Sequence, residues 1–261
     1  MKSTFKILVL AFIFSVSSSQ AKATYWGATG HRTVGKIAEK HLSKKAKKAI
    51  SKLLDGHSLA FYSTFADEIK SDNKFRKYSP WHYVNFNFDE KYNPATASKK
   101  GDLVQGINTC IKILKDPKAS KEEKAFHLKL LVHFIGDLHQ PLHVGRAEDR
   151  GGNDIKVKWF NKSSNLHRVW DSELIDSYNM SYTELASNAQ KLSKAQIKAL
   201  QKGNILDWVY ESQALAKKVY SSAKKGDKLF YRYSYLYLHT TREQLQKGGV
   251  RLAKVLNDIF G

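Results

Sequence analysis

The sequence predicts an all-α fold, in which a single, mostly helical domain carries a small β-hairpin insertion. Three observations lead to this prediction. Only four prolines occur in 261 residues, and apolar residues recur at three- and four-residue intervals along most of the chain. One stretch, residues 149–166, instead combines glycines with a short period-two alternation. No internal repeat, low-complexity tract or linker divides the chain, which favours one domain.

The helices are predicted in chain order from apolar stripes and capping residues. Ser43 separates the first two stripes and can cap the second. A third stripe follows Asp102, which is a favourable first-turn cap. A long helix is expected to open after Ser120 and to run to about Gln140, where Pro141 ends it. Two later stripes predict further helices, the last of which reaches nearly to the C-terminus.

The hairpin is predicted from the segment that interrupts this helical pattern. Residues from Ile155 to Trp159 alternate between apolar and polar side chains, and the turn-like run from Asn161 to Asn165 follows them. Period-two alternation next to turn-forming residues is typical of a short hairpin. We therefore expect a small β element inserted among the helices.

The N-terminus has the layout of a cleaved secretory signal peptide. Lys2 and Lys6 precede the apolar run Ile7–Val16, and the small-residue exit Ala21-Lys22-Ala23 follows. The apolar run is too short to cross a bilayer, which takes about 20 residues. The sequence therefore predicts a signal peptide over residues 1–23, with cleavage that can extend to residue 25. The protein is expected to be periplasmic or secreted, without stable membrane association.

The remaining chain, residues 26–261, is long enough for one domain with a sizeable core. The formal net charge is +20, and removal of Lys2, Lys6 and Lys22 leaves +17. Such a charge favours polyanionic partners, either phosphate polymers or anionic membrane surfaces, and disfavours cationic substrates. A solubilising role is the simpler interpretation for one lysine run: Lys44, Lys45, Lys47 and Lys48. Cys110 is the single cysteine, so an intrachain disulfide is excluded.

Two histidine–aspartate pairs point to chemistry. His133 and Asp137 are four residues apart on the long predicted helix, so their side chains share one face. The proline that ends this helix allows the chain to turn His143 back toward the same space. A second pair with the same spacing, His167 and Asp171, follows the hairpin.

Three upstream residues, His31, Asp67 and His82, complete a set of five histidines and three aspartates without a thiolate. Imidazole combined with carboxylate is typical of hydrolytic zinc sites, which keep one position open for water. Each residue alone is better explained as a surface charge or a core histidine. Their conjunction around one helix end and one hairpin predicts a multi-zinc hydrolase.

The chain resembles the zinc-dependent single-strand nucleases of the S1/P1 type, as a bacterial-like member. The resemblance extends over essentially all of the mature chain. The segments that match, in order and with their internal spacing kept, are Trp26–His31, Phe65–Lys70, Ser79–Val84, His133–His143, Asp149–Asn153 and Asn165–Asp171. The resemblance implies the fold shared by these nucleases and zinc-dependent phospholipase C.

The resemblance also implies three Zn²⁺ ions, whose ligands can be assigned residue by residue. The first ion would be held by Asp67, His82 and His133. The second would be held by His143, His167 and Asp171. The third would be held by His31 and the backbone amino and carbonyl groups of Trp26, with Asp137 bridging the first and third ions. This third site requires a mature chain that begins at Trp26, whereas the small-residue rule places the cleavage after Ala23.

The implied activity is hydrolysis of phosphodiester bonds in single-stranded DNA and RNA to 5′-phosphate products, with a 3′-nucleotidase activity left open. Asp137 and Lys70 would be the catalytic residues, Asp137 as the bridge and Lys70 as a cation beside the phosphate. Tyr83 stands at the family's base-stacking position, and a core tyrosine is the alternative interpretation. Asn85 and Asn153 complete the implied substrate-binding residues. The expected partner is a single-stranded nucleic acid or a nucleotide, and the protein is expected to be a monomer.

Two other functions remain open at this point. A zinc-dependent phospholipase C would share the fold and the ligand scheme, but those lipases carry a glutamate where this chain has Asp171, and a +17 surface does not suit a choline headgroup. An exported zinc- or nucleic-acid-binding protein without activity is the second alternative. Structural zinc sites usually include cysteine, which makes this alternative weaker.

Of the other histidines, His139 is expected to contact a ligand carboxylate.

Overall fold

The computed structural model describes residues 27–95 and 97–261, and the predicted signal peptide and Trp26 lie outside them. The fold is mostly helical, as predicted, with one small sheet. The α-helices of the described residues are α1 Ala28–His41, α2 Lys44–Leu53, α3 Leu59–Tyr62, α4 Phe65–Glu68, α5 Leu103–Lys115, α6 Lys121–Leu138, α7 Leu166–Arg168, α8 Leu174–Asp176, α9 Tyr182–Ser187, α10 Lys194–Leu200, α11 Ile205–Tyr220 and α12 Tyr231–Phe260. Within that part of the chain, no helix combines the length and apolarity needed to cross a membrane.

The predicted helix starts are confirmed by their capping hydrogen bonds. The side chains of Ser43, Asp102 and Ser120 each accept a hydrogen bond from the backbone N–H three residues later, at the starts of α2, α5 and α6. Helix α6 ends at Leu138, two residues before the predicted end. The proline then begins a 3₁₀ turn, Pro141–Val144, in which its missing N–H is not needed.

Helix α6 lies at the centre of the molecule. Every residue from 130 to 145 is buried, so the helix end and the following turn are enclosed on all sides. The long helix α12 packs across α1, and α5 packs along α6. A stretch this deeply buried would normally be apolar, because an uncompensated charge in such surroundings is costly. The polar side chains within it therefore need specific partners.

Helix α1 reaches this centre because two glycines allow close approach. A Cβ at Gly35 would lie 2.8 Å from the backbone nitrogen of Ala60, beside α3. A Cβ at Gly249 of α12 would lie 2.6 Å from Cβ of Ile37. Only glycine fits at these two contacts without displacing backbone or core atoms. The N-terminal turn of α1 is thereby held against α6.

The predicted hairpin is present, with a tighter turn than expected. Strands β1 Lys156–Trp159 and β2 Lys162–Asn165 pair antiparallel, joined by Phe160 and Asn161, which have φ of 47° and 64°. The interpretation of 161–165 as a turn was therefore wrong for its last four residues, which form β2. A two-residue turn with both residues at positive φ matches the twist of the strands, and asparagine tolerates this conformation.

A third strand, not predicted from the sequence, extends the hairpin into a sheet. Strand β3 Lys228–Leu229 pairs parallel to β1, which gives the strand order β2-β1-β3. The inner face of the sheet presents Val157, Trp159 and Leu229 to an apolar cluster that also contains Trp170. This packing fixes the hairpin against the segment that follows it, residues 166–173.

Candidate metal centre

The eight candidate histidine and aspartate ligands within the described residues converge on the buried end of α6. They come from different elements: His31 from α1, Asp67 from α4, His82 from the end of a 3₁₀ helix, His133 and Asp137 from α6, His143 from the turn after α6, His167 from α7 and Asp171 from a π-helical turn. Six are buried, and Asp67 and His167 are half-buried. Three groups of them place their ligand atoms within 4.8 Å of one another.

The first group has distances that match a zinc coordination shell. His133 Nε2 lies 3.1 Å from His82 Nδ1 and 3.6 Å from Asp67 Oδ1, and His82 Nδ1 lies 3.7 Å from the same oxygen. Asp137 Oδ2 lies 2.9 Å from His82 Nδ1 and 3.2 Å from His133 Nε2. Zinc–ligand bonds of about 2.0–2.1 Å in a tetrahedron imply ligand–ligand distances of roughly 3.4 Å. These five distances, from 2.9 to 3.7 Å, are therefore close to the spacing that a zinc ion requires.

Asp137 lies between the first group and a further group that contains His31. While its Oδ2 belongs to the first group, its Oδ1 lies 3.4 Å from His31 Nε2 and 3.3 Å from His143 Nδ1. Both oxygens are buried, and neither accepts a hydrogen bond within the described residues. The His31 and His133 rings are stacked, with centroids 3.7 Å apart. A carboxylate with one oxygen toward each group has the geometry of a bridging ligand.

The second group lies on the other side of the turn. His143 Nε2 is 3.2 Å from Asp171 Oδ1, and the His143 and His167 rings are stacked with centroids 5.0 Å apart. Asp171 sits in the π-helical turn Val169–Glu173, a distortion that is frequent at functional sites. Among the described residues, its second oxygen, Oδ2, is buried without a hydrogen-bond partner. A cation would satisfy that oxygen.

Backbone carbonyl groups orient three of the histidines. Nδ1 of His133, His143 and His167 lies 2.7 Å, 2.7 Å and 2.8 Å from the carbonyl oxygens of Ser63, His82 and Gly151. A carbonyl can only accept, so each Nδ1 carries the proton and donates it. The lone pair is then left on Nε2, which points into the ligand groups.

Burial and the neighbouring carboxylates shift the pKa values of these groups in opposite directions. Burial lowers the pKa of His31 and His82 to about 4, so both rings are neutral near pH 7. Burial opposes protonation of His143 as well, but Asp137 and Asp171 outweigh it and raise the pKa of that ring to about 9. His143 must therefore lose a proton before its Nε2 can serve as a metal ligand.

A cleft of about 1210 Å³ opens beside the first and second groups. His82, His143 and His167 form part of its floor, and Lys70 lies at its wall with Nζ 2.7 Å from Asp67 Oδ1. Positive side chains outnumber negative ones around the lining. The basic members are Lys70, Arg76, Lys91, Lys100, Arg150 and Arg168, and the acidic members are Glu90 and Asp102.

The three predicted substrate-binding residues all line this cleft. Tyr83 is 46% exposed, so the alternative interpretation as a core tyrosine is wrong. Oδ1 of Asn85 is buried and makes no hydrogen bond within the described part of the chain. Asn153 is half-buried and donates to the carbonyl of Arg150. An exposed aromatic ring and an unsatisfied amide oxygen beside a basic wall suit a ligand with a planar base and a phosphate.

Comparison with known proteins shows the family of the chain. Residues 26–261 match the sequence model described as S1/P1 Nuclease. Endonuclease 2 and Endonuclease 4 of Arabidopsis thaliana are 32% and 33% identical, over 90% and 91% of this chain and 91% and 90% of their own lengths. Nuclease P1 of Penicillium citrinum is 28% identical over 90% of this chain and 98% of its own length. The chain belongs to the S1/P1 nuclease family.

Family membership confirms the prediction of an enzyme of the zinc-dependent nuclease class. It also supports nucleic acid as the kind of substrate, over the alternatives of a phospholipase C and of a binding protein without activity. His139 was expected from the sequence to contact a ligand carboxylate, and this prediction was wrong. Its Nδ1 bonds to the carbonyl of Ile135 and its Nε2 lies 3.2 Å from Nη1 of Arg251, on the side away from the ligands.

Two residues that support the candidate metal centre of this S1/P1 nuclease were not predicted from the sequence. Gln140 is fully buried, donates from Nε2 to Asp171 Oδ1 at 3.2 Å and accepts from the backbone of Leu142. Gly136 faces His31 across the contact between α6 and α1. The signal that could have identified Gly136 is a glycine within a predicted helix, one residue before the candidate ligand Asp137.

Replacing Gly136 by alanine is expected to lower kcat/KM by about 10- to 100-fold. A Cβ at this position would lie 2.7 Å from His31 Nδ1, so the imidazole has to move away from Asp137. Alanine is otherwise the better helix former by roughly 1 kcal/mol, so the helix itself should not suffer. Kinetics and metal content of the purified variant check this. Full activity with full metal content would mean that the position of His31 does not matter.

Proposed function

We propose that this S1/P1 nuclease is a secreted, zinc-dependent endonuclease that cuts single-stranded DNA and RNA and leaves 5′ phosphates on its products. A 3′-nucleotidase activity is a second reaction that the same site can support, because both reactions break a bond between phosphorus and a 3′ oxygen. The observation that supports this best is the combination of three histidine–aspartate groups with an open, basic cleft that contains an exposed tyrosine.

Three zinc ions are proposed for these groups. Asp67, His82 and His133 would hold one ion, and His143, His167 and Asp171 would hold another. His31 would hold the third together with Trp26, and Asp137 would bridge the first and third ions. Bound there, zinc would supply an acidified water as the nucleophile and positive charge for the departing oxygen. The nitrogen and oxygen donors, their spacing and the Asp171 oxygen that lacks a hydrogen-bond partner among the described residues support this assignment.

The chain's own residues would position the substrate. Lys70 lies at the cleft wall within 2.7 Å of Asp67 Oδ1, where its ammonium group can approach a phosphate bound beside the first group. Its charge would stabilise the charge that develops on the phosphate oxygens in the transition state. The buried floor of the cleft strengthens that interaction, because it keeps the dielectric constant low around the reacting atoms.

Selectivity for single strands would follow from Tyr83. An exposed ring at the cleft wall can stack on a base only if the base is splayed out of a helix. A duplex keeps its bases stacked on one another, so it cannot offer a face to this ring without being opened first. Asn85, whose Oδ1 is unsatisfied among the described residues, can accept a hydrogen bond from the edge of the same base.

Replacing Tyr83 by alanine is expected to raise KM for single-stranded oligonucleotides by about 10-fold, because one base–aromatic stack is worth about 1–3 kcal/mol. The effect on kcat should be smaller than about 3-fold, since the ring does not contact the reacting atoms. Steady-state kinetics on one oligonucleotide checks both values. Tyr178→Ala is the matched control, because Tyr178 is equally exposed at 44% and lies outside the cleft lining. Loss of kcat with unchanged KM would contradict the stacking role.

The amino-terminal third site depends on how the leader is removed. The proposal places the signal peptide at residues 1–23, extended to 25 if the free amine of Trp26 is to bind zinc, with the nuclease domain at 26–261 and the mature protein a monomer. Elemental analysis and mass spectrometry of the exported protein test this together. About three zinc ions with a chain starting at Trp26 would support the third site. Two ions with a chain starting at Thr24 would remove it.

The function itself is tested by digestion of matched substrates. Circular single-stranded DNA, a single-stranded RNA and the corresponding duplexes are incubated with the exported enzyme, with and without a chelator. We expect fast, chelator-sensitive cleavage of the circle and the RNA, slow cleavage of the duplexes, and 5′-phosphate ends on the products. Cleavage of the circle establishes endonucleolytic attack, because a circle has no ends. Zinc-loaded enzyme that leaves all four substrates intact would refute the proposal.

A further inference from the structure

The outer face of the small sheet has an unusual concentration of positive charge. Five positions of the three strands point to this face, because they alternate with the buried positions Val157, Trp159, Ser164 and Leu229. They are Lys156, Lys158, Ser163, Asn165 and Lys228. Three of the five are lysines and none is acidic. We name these three lysines, Lys156, Lys158 and Lys228, the lysine face.

The strand register places like charges next to each other. Lys158 and Lys228 are direct partners in the β1–β3 pairing, and Lys156 is two residues along the same strand. Within the described residues, neither Lys158 nor Lys228 forms an ion pair. Like charges at neighbouring positions of adjacent strands are destabilising. A sheet that keeps this arrangement gives up a small amount of stability, which an anion bound across the face would restore.

The acidic residues nearest in sequence are already engaged elsewhere. Asp154 forms an ion pair with Arg150, and a carboxylate oxygen of Asp227 accepts a hydrogen bond from the backbone of Lys224. Asp154 also interacts electrostatically with Lys156, so the flanking carboxylates compensate that lysine in part, whereas Lys158 and Lys228 form no ion pair within the described residues. The formal net charge of +17 that remains without Lys2, Lys6 and Lys22 adds to the positive potential there.

The lysine face continues directly from the cleft. Asn165, at one end of β2, lines the cleft and is the register partner of Lys156. The ammonium group of Lys156 donates to the carbonyl of Asn153, which is also part of the cleft lining. Lys158 lies two residues, about 7 Å, along β1 from Lys156, and Lys228 lies one strand spacing, about 5 Å, to its side, so the face extends the positive surface by roughly 8 Å beyond the cleft wall.

We infer that the lysine face binds the sugar–phosphate backbone of a single strand where it leaves the cleft. This inference rests on the proposed function and makes a polymer, rather than a mononucleotide, the preferred substrate. Lysine ammonium groups contact phosphates as point charges without reading the base, so the contact is independent of sequence. A strand long enough to reach the face gains these contacts, and a dinucleotide held within the cleft does not.

The test compares two triple variants that lose the same charge. Lys156→Gln, Lys158→Gln and Lys228→Gln remove the lysine face, and Lys44→Gln, Lys47→Gln and Lys48→Gln remove three exposed lysines of α2 outside the cleft lining. For a single strand of about 12 nucleotides, we expect the first triple variant to raise KM by about 10-fold. The slope of log KM plotted against the logarithm of the salt concentration should fall by about 2. Its kcat/KM for a dinucleotide should change less than about 2-fold, and the α2 triple should behave like the wild type.

Several outcomes would overturn the inference while leaving the proposed function intact. Unchanged KM and salt dependence in the sheet triple would do so, and so would equal losses in both triples, which would indicate a general charge effect. A thermal melt separates these results from misfolding, since removing like charges from exposed positions should leave the melting temperature unchanged or slightly raised. If the wild type cleaves nothing, fluorescence anisotropy with a labelled phosphorothioate strand decides instead. Weaker binding by the sheet triple alone supports the inference, and equal binding overturns it.

Discussion

Replacing Asp137 by asparagine is expected to lower kcat/KM by about 10³-fold or more, because it removes a charged group at the reacting centre. One carboxylate oxygen lies within 3.2 Å of His82 and His133, and the other lies 3.4 Å from His31. The amide keeps the shape but loses the negative charge, and one of its two ends becomes a donor that repels a cation. A single substitution thus disturbs two of the proposed zinc positions.

The measurement combines kinetics with metal analysis. Asp137→Asn should lose at least one equivalent of zinc along with its activity. Asp55→Asn makes the same chemical change on an exposed carboxylate at the surface ion pair with Lys121, and should behave like the wild type. Asparagine also tolerates the positive φ of that position. An Asp137→Asn enzyme that retains more than a tenth of the activity would exclude the bridging role.

The helices could be predicted well because their signals are local. Ser43, Asp102 and Ser120 cap the helices that their spacing indicated, and the proline after α6 stops the helix within two residues of the expected point. Strand β3 was not found because two residues, Lys228 and Leu229, have no periodicity of their own. Their extended conformation depends on pairing with β1, which is distant in the sequence.

The candidate ligands could be proposed for a similar reason, since the pairs at four-residue spacing are visible along the chain. Their grouping into ion sites came from the resemblance and stays a prediction; in the structure, the ligand atoms lie within 4.8 Å of one another in three sets, one of which joins His31 to His133 and Asp137. The supporting contacts could not be predicted. Gln140 reaches Asp171, and His139 turns toward Arg251, only because separate segments meet around the end of α6. Such contacts depend on tertiary packing, for which one sequence offers no periodic signal.

Removing bound metal with a chelator is expected to abolish activity and to lower the melting temperature by about 10 °C. The reason lies in the burial of residues 130–145, which include His133, Asp137 and His143. A bound cation compensates the buried carboxylates, and binding to the folded state alone stabilises that state by mass action. Calorimetry with and without chelator, followed by zinc addition, checks the size of the shift and its reversal.

The same experiment on Asp137→Asn separates the two sources of stability. In the wild type, the Asp137 carboxylate remains when the metal has gone, and the neighbouring imidazoles must compensate its charge by taking up protons. Asp137 is the main influence that raises the pKa of His143 against the effect of burial. The asparagine variant has less metal to lose and no buried charge at this position to compensate. Its melting temperature should therefore fall by less than half of the wild-type shift on chelation. An equal shift in both proteins would place the stabilising ion at the second group, His143, His167 and Asp171, rather than at the bridge.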